Sequence, residues 1–178
     1  MTRPIVFLLF LLSASELSAQ LTDSTRIARS SIFAELGGSG VVYSLNYDHI
    51  IIDRPFVDYS VRLGISGIPF GKLPTQYFLP AEVCVIVGKR KLRSEFGLGL
   101  VANIYRTQEY FGEQAVSWRR EDFIILRIGG RFQKPHGGLF MRVGLTPFIG
   151  LTELLYSNRF LIIPWGGVAV GYTFRRKQ

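Results

Sequence analysis

From residue 57 onward the chain alternates apolar and polar side chains with a period of two, and it does so in segment after segment. Val57, Tyr59, Val61, Leu63 and Ile65 fall on one face, with Asp58, Ser60, Arg62, Gly64 and Ser66 on the other. Ala81, Val83, Val85 and Val87 oppose Glu82, Cys84, Ile86 and Gly88; Phe96, Leu98, Leu100, Ala102 and Ile104 oppose Glu95, Gly97, Gly99, Val101 and Asn103. The pattern recurs at 138–146 and 167–174. It predicts six strands, at 56–68, 76–88, 94–106, 121–133, 138–150 and 161–174. Short basic turns ("IDRP" before the first, then "GKRKLR" and "QKPHG") alternate with longer connections, "GKLPT", "TQEYFGEQAVSWRR" and "LTELLYSNR".

Alternation alone does not say which face is wet, because a soluble lipocalin-like barrel shows the same pattern inside out. The identity of the polar residues separates the two. A water-facing sheet would carry Lys, Thr and Glu, whereas this polar face holds Gly, Ser, Ala, Asn, Arg and Glu, and all five lysines lie in turns or at the chain end. Small residues set among a few large charged ones suit a narrow barrel's crowded interior. An apolar outer face with aromatics toward strand ends suits lipid.

The expected fold is therefore all-β: an eight-stranded antiparallel up-and-down transmembrane β-barrel with a polar, side-chain-filled lumen. The count depends on "ELGGSGVVYSLNYDHII", residues 35–51. If Gly37, Gly38 and Gly40 turn a hairpin, 31–36 and 41–51 are two strands and the total is eight; if they form a bulge in one long strand, it is seven. Single-chain barrels of the outer membrane have even strand counts, which favours the hairpin and places Ser39 at an exposed tip.

Three stretches, "ELGGSGVVYSLNYDH", "EFGLGL" and the closing "GVAVGYTF", carry a resemblance. The chain resembles the small outer-membrane β-barrel proteins of Gram-negative bacteria, including a group with a similar Gly-Gly-x-Gly and Ser-Leu-Asn-Tyr signature. The resemblance implies an architecture and no catalytic residues. It also implies an assembly signal at the last strand, Tyr172 and Phe174, read by the barrel-assembly machinery, although "RRKQ" follows where the chain would usually end.

The N-terminus fits this destination. Arg3, the apolar run Ile5 to Leu12 and the small residues from Ser13 to Ala19 read as a secretory signal peptide cut before Gln20. Eight apolar residues are too few for a spanning helix, which needs about 20. Residues 20–30 read as a polar lead-in, 31–174 as the barrel and 175–178 as a basic tail. With one cysteine, Cys84, no intrachain disulfide forms. The net charge of +8 would suit nucleic acid, but export makes that partner unexpected; the basic turns instead suit anionic lipid headgroups.

Alternation turns a set of charges inward: Glu35, Asp48, Asp58, Glu82 and Glu95 with Arg62, Arg127, Arg131 and Arg142. Such charges are tolerated in a closed interior only when paired and hydrogen-bonded, so the set reads as a structural plug ahead of a conducting path or proton relay. Catalysis is not expected: both histidines, His49 and His136, fall near short turns, and no histidine lies in the longer connections. No metal-ligand spacing or phosphate loop is present, and no cofactor is expected. The longest connection carries Tyr110, Phe111 and Trp118, aromatics suited to contact with an outer-membrane protein partner. The functional expectation is a structural or interaction role in the outer membrane, with a small passive pore and a lipid-modifying enzyme as alternatives.

Overall fold

The computed structural model describes residues 28–70, 73–88, 91–108, 116–151 and 162–174. The signal segment, most of the lead-in, Tyr110, Phe111 and the 175–178 tail lie outside the described residues. The strands are β1 (Ser30–Gly37), β2 (Tyr43–Ile52), β3 (Val57–Phe70), β4 (Leu73–Val87), β5 (Leu92–Gln108), β6 (Val116–Gln133), β7 (Gly138–Leu145), β8 (Phe148–Gly150), β9 (Ile162–Ile163) and β10 (Gly166–Thr173). Neighbours pair antiparallel from β1 round to β7, and β10 closes the sheet by pairing with both β1 and β7. β7 and β8 are one barrel strand interrupted at Thr146 and Pro147, and β9 and β10 are another interrupted at Pro164 and Trp165, because proline cannot donate to the ladder. The result is a closed eight-stranded antiparallel barrel.

Alternation fixes the two faces as expected. Leu36, Leu63, Leu98, Ile128 and Leu145 point outward and are each more than half exposed, while Arg62, Glu95, Arg127 and Arg131 point inward and are buried. The barrel is thus inverted relative to a water-soluble protein, with apolar side chains outside and charges inside. A small satellite of inward apolar residues, Phe78, Val101, Ile125 and Phe148, fills the lumen toward the end away from the described termini, here called the far end.

The wall is uneven. β1 and β2 have 8 and 10 residues, against 17 and 18 for β5 and β6. The β5–β6 ladder runs unbroken from Leu92↔Phe132 to Gln108↔Val116, so β6 starts five residues before the expected Glu121. Trp118 consequently sits on a strand and not in a loop. The polar run at 117–120 reads as part of a connection by composition, yet it continues the ladder, since charges at a strand end do not oppose backbone pairing.

Residues 37–42 form a hairpin turn, with β1 and β2 paired as Leu36↔Tyr43. Its tip, however, is not exposed: Ser39 has 0% relative exposure, because the Gly38–Gly40 turn of 3-10 helix folds into the lumen. Gly38 has a positive φ of 62° and rests against the Glu35 carboxylate, where any side chain would collide. A strained γ-turn centred on Val41 (φ 67°, ψ −69°) then returns the chain to the wall, closed by Val42 N–H to Gly40 O at 2.9 Å. Val41 packs on the Phe78 cluster, and Trp165 Nε1 donates to its carbonyl at 3.1 Å. These contacts on both sides hold a conformation that a β-branched residue otherwise avoids.

The charged lumen as candidate functional site

Each lumen charge is placed by strand register. Arg62 on β3 lies opposite both Asp48 on β2 and Glu82 on β4, and Arg131 on β6 lies opposite both Arg93 on β5 and Arg142 on β7. Inward glycines make room for these long side chains. A side chain at Gly97 would meet Cys84 Sγ at 2.9 Å and Arg127 Cβ at 3.2 Å.

The ion pairs stack in three levels. Farthest from the termini, Glu82 receives Arg62 Nη1 at 2.9 Å and Arg127 Nε at 2.6 Å, while Glu35 receives Arg62 Nη2 and Arg127 Nη1, the latter at 3.1 Å. Asn46 Oδ1 accepts from Arg62 Nε and Nη2 at 3.1 and 2.8 Å. Below this tetrad, Phe33 and Phe140 stack with centroids 4.8 Å apart, and the Arg62, Arg142 and Arg131 guanidiniums lie 4.9 to 5.2 Å from their ring centroids.

At the second level Arg142 grips Glu95 through Nε at 3.0 Å and through Nη2, and Arg131 Nη2 reaches Asp48 at 2.6 Å. Ser60 Oγ donates to the same Asp48 at 2.9 Å. At the third, Arg93 pairs with Asp58 and donates to Gln133 Oε1 at 2.7 Å. Gln133 also accepts from Arg131 Nε at 3.0 Å and donates to the Ala28 carbonyl at 2.9 Å. The end of the lead-in therefore packs into the barrel and is not a free segment.

All nine sequence-predicted lumen residues are thus buried and brought into one network. Sequence reasoning missed two members, Arg93 and Gln133. Arg93 reads as part of the basic turn "KRKLR", yet it stands two residues before Glu95 and so shares its inward face; Gln133 stands two residues after Arg131 and shares its face likewise. With Arg93 included, five buried arginines face five buried carboxylates and the charges cancel. A buried network of this kind is tolerable because every charge has a partner.

The other sequence-predicted residues lie apart from the lumen. Tyr172 on the last strand and Phe174 just past its end are exposed, edge to face at 5.9 Å. Trp118 is exposed on the outer wall, its ring 6.4 Å from that of Tyr77. His49 Nδ1 and Ser30 Oγ are 2.9 Å apart at the end where the barrel strands start and finish. Cys84 is a buried thiol whose Sγ lies 3.9 Å from Arg142 Nη2.

No family model and no curated protein matches the chain. A solved structure does. The fold is similar to the crystal structure of the N-terminal β-barrel domain of Pseudomonas aeruginosa OprF, with a TM-score of 0.53 at 12% identity, over 82% of this chain and 96% of that one. At that identity the likeness is one of fold. The eight-stranded closed barrel is what the two share.

Proposed function

We propose that the protein is an outer-membrane barrel with a structural or interaction role, sealed to solutes and without catalytic activity. The observation that carries this reading is the closed lumen: five arginines and five carboxylates fill it, and the Phe78 cluster with the inward-folded 38–42 turn lies beyond them. The membrane part of the reading rests on the apolar outer wall. On β5 the outward residues run from Leu92 to Ile104 with Ser94 the only interruption. Twelve steps of about 3.4 Å give about 41 Å along the strand, or about 29 Å of height at a 45° tilt, which suits a bilayer's apolar band.

In this reading the turns "IDRP", "GKRKLR" and "QKPHG" and the two ends of the described barrel, Ala28 and Phe174, face the periplasm, and the far end faces outward. Outer-membrane lipid is the permanent partner, the barrel-assembly machinery a transient one through Tyr172 and Phe174, and a second membrane protein a candidate at the far rim. Two measurements test the proposal together. The mature chain should fractionate with outer membrane and migrate differently before and after heating, and its purified form should give no stepwise conductance in planar bilayers. Recovery as a soluble periplasmic monomer overturns the location, and steady ohmic conductance overturns the seal.

A further inference from the structure

The apolar outer wall carries one break. Among the described strands, the outward-facing Asp, Glu, Lys and Arg residues are Arg106, Arg120 and Asp122, and all three lie together. Arg106 on β5 is paired with Trp118 on β6, and Ile104 with Arg120, so the two arginines sit diagonally on adjacent strands. Arg106 stands one outward step past Ile104 on β5, and Arg120 stands on β6 between Ile124 and Trp118, two outward steps past the former, at the height where hydrocarbon gives way to headgroups. Arg120 Nε donates to Asp122 Oδ1 at 2.8 Å, while Arg106 has no ion pair among the described residues. The patch is therefore cationic by one charge.

The aromatic neighbour joins this patch to a groove. Tyr77 on β4 lies opposite Ile104 and packs against Trp118, with centroids 6.4 Å apart. The other side of Tyr77 lines an outward groove of about 380 Å³, walled by Leu36, Tyr43, Leu45 and Ile65 and floored by Ala34. It opens where the short β1–β2 hairpin leaves the rim low beside the taller β3 and β4. Apolar groove, aromatic pair and two arginines thus follow one another across the outer wall.

We propose that this surface is a binding site for a phosphate-bearing lipid of the outer leaflet, one acyl chain lying in the Ala34 groove and a phosphate held by Arg106 and Arg120. The site rests on the membrane reading above. Guanidinium groups suit phosphate because they offer paired N–H donors and remain charged. The Tyr77–Trp118 pair covers the junction between chain and headgroup, the level at which such rings are found in membranes. Asp122 opposes the phosphate and draws on Arg120, which makes it a built-in limit on affinity.

The test uses the mature chain inserted in phosphatidylcholine nanodiscs doped with bisphosphorylated lipid A, or with the same lipid after enzymatic dephosphorylation, and native mass spectrometry of the released protein. The wild type is expected to retain the phosphorylated lipid in preference. The Arg106→Gln/Arg120→Gln double variant should bind it roughly 25-fold more weakly, at about fivefold per arginine near a charged lipid surface. Ala34→Phe, which fills the groove, should weaken both lipids alike, and Asp122→Asn should tighten the phosphorylated one. Equal retention of the two lipids by the wild type, or unchanged retention by the folded double variant, overturns the site while leaving the barrel reading intact. Failure to insert into plain phosphatidylcholine overturns the membrane reading, and the site with it.

Discussion

Removing the carboxylate of Glu82 should expose how the lumen is held together. Its two oxygens accept from two nitrogens of Arg127, Oε1 also forms an ion pair with Arg62 Nη1 at 2.9 Å, and the side chain is buried. In Glu82→Ala both guanidiniums fall back on Glu35, with Asn46 as a further acceptor for Arg62, and the five-against-five balance becomes an excess of one positive charge. Breaking a buried pair by deleting one partner costs about 3 to 5 kcal/mol, most of it the penalty of the stranded charge. Adding Arg127→Ala restores neutrality, so the double variant should be less destabilised than the sum of the two single changes by about 1 to 3 kcal/mol. The assay is urea unfolding of the vesicle-inserted barrel, followed by tryptophan fluorescence and by the electrophoretic shift of the folded form. Leu98→Ala, a change on the lipid-facing wall, serves as the comparison. A Glu82→Ala barrel within 1 kcal/mol of the wild type, or strict additivity in the double variant, would refute the claim that these side chains form one buried network.

Three further outcomes follow from the same structure. A peptide tag inserted after Ser39 should block barrel assembly, because the 38–40 turn is packed inside the lumen, whereas the same tag after the exposed Pro55 should be accepted; the folded fraction on unheated gels reads this directly. Cys84, fully buried beside Arg142, should resist a water-soluble maleimide in the folded barrel and react fully once the protein is heated in detergent. Phe148→Ala should cost about 3 to 5 kcal/mol in the same unfolding assay, since Phe148 is buried in the Phe78 cluster and meets Phe123 edge to face at 6.0 Å.

Period-two alternation made most of the fold legible, because each strand has one wall against lipid and one against the lumen. Arg62 and Glu82 follow from it at once: a charged residue flanked on both sides by outward apolar residues has only the lumen to enter. Parity argued correctly for a hairpin at Gly37–Gly40, yet nothing in "GGSG" announced that the turn folds inward. That depends on tertiary contacts, the Glu35 carboxylate beneath Gly38 and the Trp165 indole on Val41, which no local pattern encodes. Arg93 was obscured by its neighbours, since Lys89, Arg90 and Lys91 give it the look of a solvated turn. The far ends of β5 and β6 were obscured by composition, because "SWRR" reads as the end of a polar connection although its backbone continues the ladder. The outer patch was hidden for a related reason: Arg120 looks like a loop charge and Arg106 like the last residue of its strand, until register sets them side by side.

Spin labels placed one at a time at Leu98, Leu100 and Ala102, in a Cys84→Ser background, test most directly that the outer wall of this barrel lies in lipid. All three positions face outward within the β5 apolar run. In native-type outer-membrane vesicles each should be relaxed strongly by molecular oxygen, which partitions into hydrocarbon, and weakly by a water-soluble nickel chelate. High nickel accessibility at these positions would place water on the outer wall and contradict the account.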